Sequence, residues 1–123
     1  MSTSTALVTV AEFLKLQPPN EGHLELHHGE VVHVPPPKWR HQILQERIAT
    51  LLKERLGKSG VVLCEMAFRA ASEYEVWQAD IGYVKQDRVA GVDPSEYLSG
   101  APDLVVEVLS PSNAADELVS CLK

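Results

Sequence analysis

The segment APDLVVEVLSP, Ala101 to Pro111, confines this chain more tightly than any other. Leu104, Val105, Val106, Val108 and Leu109 predict a strand buried on both faces. Glu107 nevertheless stands within it. A carboxylate among apolar neighbours is costly unless it is paired, protonated or bound to a metal. A second segment, YEVWQADIGYV from Tyr74 to Val84, repeats the anomaly with Asp80. Adjacent strands lie about 4.8 Å apart. Two carboxylates at matching heights on such strands can share one hard divalent cation at about 2.1 Å per oxygen. Mg2+ or Mn2+ held there would offset the burial of both charges and stabilise charge on a phosphoryl oxygen. The plainer alternative leaves each acid at a strand end in water, or pairs one with an arginine such as Arg69.

The segments around these two strands supply their supports. In TVAEFLKL, Thr9 caps a short helix and Glu12, three residues on, completes a capping box. Pro18 and Pro19 end it. HLELHHGEVVHV reads as a hairpin, Leu24–His27 and Glu30–Val34, turning at His28-Gly29. Pro35, Pro36 and Pro37 form a stiff connector. From Arg40 to Leu56 the apolar residues Leu44, Ile48, Leu51, Leu52 and Leu56 recur at helical spacing. His41 shares a face with Leu44 and Ile48, so it is expected to point inward. Gly57 and Gly60 mark the end of that helix. A strand follows from Val61, then Tyr74–Val84, then a loop rich in Gly, Pro and Asp from Lys85 to Gly100. After the Glu107 strand, Asn113 opens a helix with an apolar stripe of Ala115, Leu118, Val119 and Leu122.

With 123 residues, 45% of them apolar and 23% charged, the chain suits one globular domain, residues 1–123. No run is long enough for a transmembrane helix and the N-terminus lacks a signal peptide, so the expected place is the cytoplasm, away from membranes. Cys64 and Cys121 match no metal-ligand spacing and are expected as free thiols. The formal charge is −6 but uneven. Lys38, Arg40, Arg47, Lys53, Arg55 and Lys58 face only Glu46 and Glu54, so residues 38–58 carry +4 and the rest −10. That segment is either a solvated helix face or a patch that meets phosphate.

A long helix, a strand, an Asp-bearing strand, a Glu-bearing strand and a helix together resemble the core of the PD-(D/E)XK nucleases. More narrowly, TVAEFLKL, HLELHHGEVV, PPPKWRHQ, WQADIGYV and above all GAPDLVVEVLSPSN resemble the Uma2 family, also called DUF820, over almost the whole chain. The resemblance implies an α/β (α+β) fold with a restriction-endonuclease-like core. That core is a mixed β-sheet flanked by helices, here preceded by an N-terminal β-hairpin. It also implies metal-dependent hydrolysis of nucleic acid phosphodiester bonds, with Mg2+ or Mn2+ as cofactor. Position by position, the metal-binding acids fall on Asp80 and Glu107, and Glu25 and His41 match further acidic and histidine positions near the site. His27, His28 and His33, close by in sequence, are expected at the surface.

The chain departs from the family pattern in three places. Leu109 stands where an E-x-K motif has lysine. The family's substitute lysine on the next helix falls at or near Cys121, which leaves Lys123 as the remaining catalytic candidate. Ala79 replaces the usual proline before Asp80. Family members also continue past this C-terminus, so the domain is expected to be C-terminally shortened. Two functions follow. In one, the chain is an Mg2+-dependent endonuclease in which Lys38 and Arg40, flanking Trp39, touch the nucleic acid backbone. In the other, it is a non-catalytic nuclease-fold domain acting as an oligomeric interaction module. The apolar stripe after Asn113 predicts a homodimer.

Overall fold

The computed structural model describes residues 6–109. The helix expected from Asn113, together with Cys121 and Lys123, lies outside the described residues. Helix α1 (Val10–Phe13) begins at Thr9, and the capping box with Glu12 is formed in both directions. Thr9→Ala is expected to cost about 1 kcal/mol, read as a lower urea midpoint at unchanged slope. An unchanged midpoint would mean that α1 docks without its cap.

Strands β1 (His23–His27) and β2 (Glu30–Val34) form the expected hairpin. His28 and Gly29 have φ of 52° and 80°, the paired left-handed values of the tight turn that suits twisted strands. Helix α2 runs Trp39–Leu56, β3 Gly60–Arg69 and β4 Val76–Lys85. Within the expected loop the chain forms a short α3 (Gln86–Val89) and a two-residue β5 (Leu98–Ser99). Contacts distant in sequence hold them: Arg88 donates to the carbonyls of Ser99 and Ala101 and pairs with Asp103.

The last strand among the described residues, β6, covers only Leu104–Val106. This corrects the expectation of a strand buried on both faces to Leu109. Among the described residues β6 pairs only with β4, Leu104 and Leu109 are exposed, and Val108 is buried. Burial also corrects the inward face of α2. Gln45 and Ala49 are buried, and Ile48, Leu52 and Leu56 pack beside them, whereas Leu44 and Leu51 face solvent.

The described strands form one mixed sheet in the order β2-β1-β4-β3-β5, with β6 also on β4. All pairs are antiparallel except β3 with β5. Strand β3 fills one edge of β4 from end to end. Strands β1 and β6 must therefore share the other edge, β1 at Val76 and β6 at Ile81–Tyr83. Residues 77–80 of β4 lie in the gap between them.

Residues two apart on a strand normally share a face. On β3, however, Val62 and Cys64 pack under α2 with Ala49, while Met66 and Phe68 pack with Leu98 in a second cluster. On β4, Ile81 belongs to the first cluster and Ala79 to the second. The exchange occurs at Glu65, a non-glycine residue with φ 52°, directly across from Asp80. A kink of this kind re-aims side chains. Gly82 accommodates it, because a Cβ there would lie 2.4 Å from Met66 Sδ.

Candidate functional site

The gap along β4 collects acids from three strands' worth of chain. Asp80 is central. The pairing of Ile81 with Val106 and Gly82 with Val105 continues by one step to bring Glu107 opposite Asp80. The backbone N–H of Val108 donates to Asp80 Oδ2 at 2.7 Å and fixes that approach. The two acids expected to form a pair are thus brought together. Burial, then the adjacent Asp80 charge and a hydrogen bond to Asp80, push the Glu107 carboxyl up to about 8. Glu107 therefore keeps its proton beside the Asp80 carboxyl more readily than an exposed glutamate does.

His41 enters from the first turn of α2, with Nε2 3.6 Å from Asp80 Oδ1. One turn on, the buried Gln45 donates from Nε2 to the Asp80 backbone carbonyl at 2.9 Å. Gln45 was not legible as a site residue, although its spacing of four from His41 puts both on one helix face. Cys64 is a free thiol that donates to Glu46 at 3.4 Å, and burial followed by the Glu46 carboxylate pushes its pKa up. It is not an activated nucleophile.

Glu25 lies on β1, and its charge reaches Glu107. It is only 7% exposed. His23 Nε2 and His27 Nε2 donate to its two carboxylate oxygens at 2.6 and 2.7 Å. Burial pushes the Glu25 carboxyl up, but those hydrogen bonds and charges outweigh it and hold it below its ordinary value. The alternation His23, Glu25, His27 puts all three side chains on one face of the strand.

His27 is accordingly not a surface residue. Its ring stacks on Trp77 with centroids 3.7 Å apart and planes 10° apart. Trp77 Nε1 and the His28 backbone N–H both donate to the buried Glu75, which also pairs with His28 Nδ1 at 2.8 Å. The ring of His28 itself stays exposed, as does His33, which meets the Glu21 carbonyl. Lys38 and Arg40 are exposed at the start of α2, and Leu109 is 60% exposed.

Among the described residues, no group of three or more His, Cys, Asp and Glu side chains is arranged to hold a metal ion. The donor set of Asp80 and Glu107 still fits a hard divalent cation. The register brings the two carboxyls together, and a cation between them would offset the repulsion of their charges. No helix among the described residues is long and apolar enough to cross a membrane.

Comparison with known proteins gives the chain its relatives. The crystal structure of a putative nuclease belonging to DUF820 from Anabaena variabilis ATCC 29413 matches with a TM-score of 0.76 at 19% sequence identity. The match covers 93% of this chain and 65% of that one, so the chain spans less than two thirds of its neighbour's length. At this identity the likeness is one of fold. No curated protein matches the chain. The model of the Uma2 family, described as "Putative restriction endonuclease", matches residues 10–120, and over that span the chain belongs to the Uma2 family.

Proposed function

We propose that this domain is a divalent-metal-dependent nuclease whose metal seat is the Asp80–Glu107 pair. The observation that carries the reading is the strand register that sets Glu107 opposite Asp80, fixed by the Val108 N–H on Asp80 Oδ2. A cation bound there supplies a Lewis acid for phosphoryl oxygens. The chain's own groups do the rest. The Val108 N–H and the Gln45 amide hold Asp80 at its side chain and its carbonyl. His41, beside Asp80, is placed to orient water or a phosphate oxygen. Glu25, clamped by two histidines, adds negative charge that favours a cation over a second proton. Lys38 and Arg40 contact the backbone of the nucleic acid.

Calorimetric titration with Mn2+ tests the metal seat. Expected are saturable binding, release of close to one proton per ion at neutral pH, and loss of both in Asp80→Ala. Absence of binding to the wild type would remove the basis of the proposal. A second reading, a non-catalytic domain that retains the metal seat, is favoured by Leu109 at the place of the motif lysine. Cleavage of DNA with Mg2+ is therefore expected to be weak. Efficient cleavage that is lost in Glu107→Gln would eliminate this second reading and make Lys123 the first candidate for the missing charge. The apolar stripe after Asn113 favours a homodimer, and light scattering reads that mass directly.

A further inference from the structure

The outward face of α2, opposite the sheet, carries a hollow lined by Trp39, Arg40, Ile43, Leu44 and Arg47. We infer that this hollow is a docking surface for unpaired nucleotides, with Trp39 as the stacking platform and Arg40 and Arg47 on the phosphates. The inference rests on nucleic acid as the ligand class of the proposed function, but not on catalysis.

Trp39 is 76% exposed, and Leu44 is 45% exposed beside it. An indole left this open on a helix gains nothing from the core, whereas it offers a flat face to any unstacked base. Along the first two turns of α2 the charge is single-signed. Residues 38–45 contain Lys38 and Arg40 and no acid. The next acid, Glu46, accepts from the Cys64 thiol. None of the ion pairs among the described residues uses Lys38, Arg40 or Arg47. These cations are uncommitted, and they flank the aromatic face.

An unspent basic stripe with an aromatic in its middle matches a polyanion with separable π-faces. A second copy of the same face would bring like charges together. A duplex keeps its bases stacked and gives Trp39 nothing to stack on, so single strands or unpaired ends are the ligand.

The test uses fluorescence of the full chain in EDTA, which keeps any cleavage silent, with a thymidine oligonucleotide of about twenty nucleotides as probe. The Trp39 component is read as the difference between the wild type and Trp39→Phe. Expected are quenching of that component and salt-sensitive binding about tenfold weaker in Trp39→Ala, consistent with base–aromatic stacking. Trp39→Phe should recover most of the affinity. The double variant Arg40→Ala with Arg47→Ala should flatten the salt dependence. Equal affinity for a blunt duplex, oligonucleotide binding indifferent to Trp39→Ala, or binding only to phosphatidylserine vesicles would each overturn the inference. Failure here with intact Mn2+ binding and cleavage would leave the proposed function standing. Trp39-dependent binding in a protein that takes up no metal would do the reverse.

Discussion

Between about pH 5 and pH 8.5 the wild-type domain is expected to lose roughly 2 kcal/mol of stability that Glu107→Gln retains. Glu107 holds its proton up to about 8 in the folded chain. In the unfolded chain it releases that proton near the ordinary glutamate value. Across the interval the folded state binds more protons, so stability falls as pH rises. The contribution is complete below the unfolded value and gone above the folded one. Glu107 is only partly shielded from water, and solvent screening reduces the full linkage to the figure given. The measurement is the urea midpoint at both ends of the range for the two proteins, with and without Mn2+. Glutamine can donate to Asp80 without titrating, so the variant's profile should be flatter by that amount. Mn2+ should stabilise the wild type more at the alkaline end, where it meets an ionised pair rather than a protonated one. Parallel pH profiles for the two proteins would mean that Glu107 does not hold its proton beside Asp80 to the alkaline end of the range.

Leu26→Ala is expected to cost about 3 kcal/mol. Leu26 is fully buried, and it joins α1 to the sheet through Val10, Phe13 and Val76. Such a vacancy cannot refill easily, because β1 is fixed by pairing with both β2 and β4. Leu44→Ala is the contrast. The residue types are the same, but Leu44 lies on the open side of α2, and the expected change is within about 0.5 kcal/mol. Urea denaturation of both variants, at equal slope, reads the difference. A cost below about 1 kcal/mol for Leu26→Ala would mean that the cluster beneath α1 is not closed as described.

Much of this arrangement is legible in the sequence, and the rest is hidden for physical reasons. The hairpin declares itself because His28-Gly29 accepts two left-handed conformations in a row. Asp80 and Glu107 announce themselves as charges in apolar runs, and the strand register brings them together. The inward face of α2 is harder to read. Apolar spacing groups Leu44 and Leu51 with Ile48, Leu52 and Leu56, but only the last three reach the sheet, beside the small Ala49 and the amide of Gln45. Apolar periodicity has no means of ranking a buried glutamine above an exposed leucine. Glu25 hides for a related reason. A hairpin acid ordinarily sits in water, and its burial here depends on two histidines two residues away on either side. The short α3 and β5 carry no local signature, since Arg88 assembles them through groups ten or more residues distant.

The kink at Glu65 bears on how this site tolerates change over many generations. Asp80 stands where the chain passes from the layer beneath α2 to the layer around Met66, with Ile81 in one and Ala79 in the other. Its geometry is therefore answerable to two separately packed interiors. A slightly smaller side chain in either layer is the sort of drift a protein ordinarily absorbs. Here two such changes, one per layer and far from each other, converge on the same carboxylate. Residues that never touch become dependent on one another's history through Asp80. Substitutions should then be read in pairs across the two layers, and not only as neighbours within one.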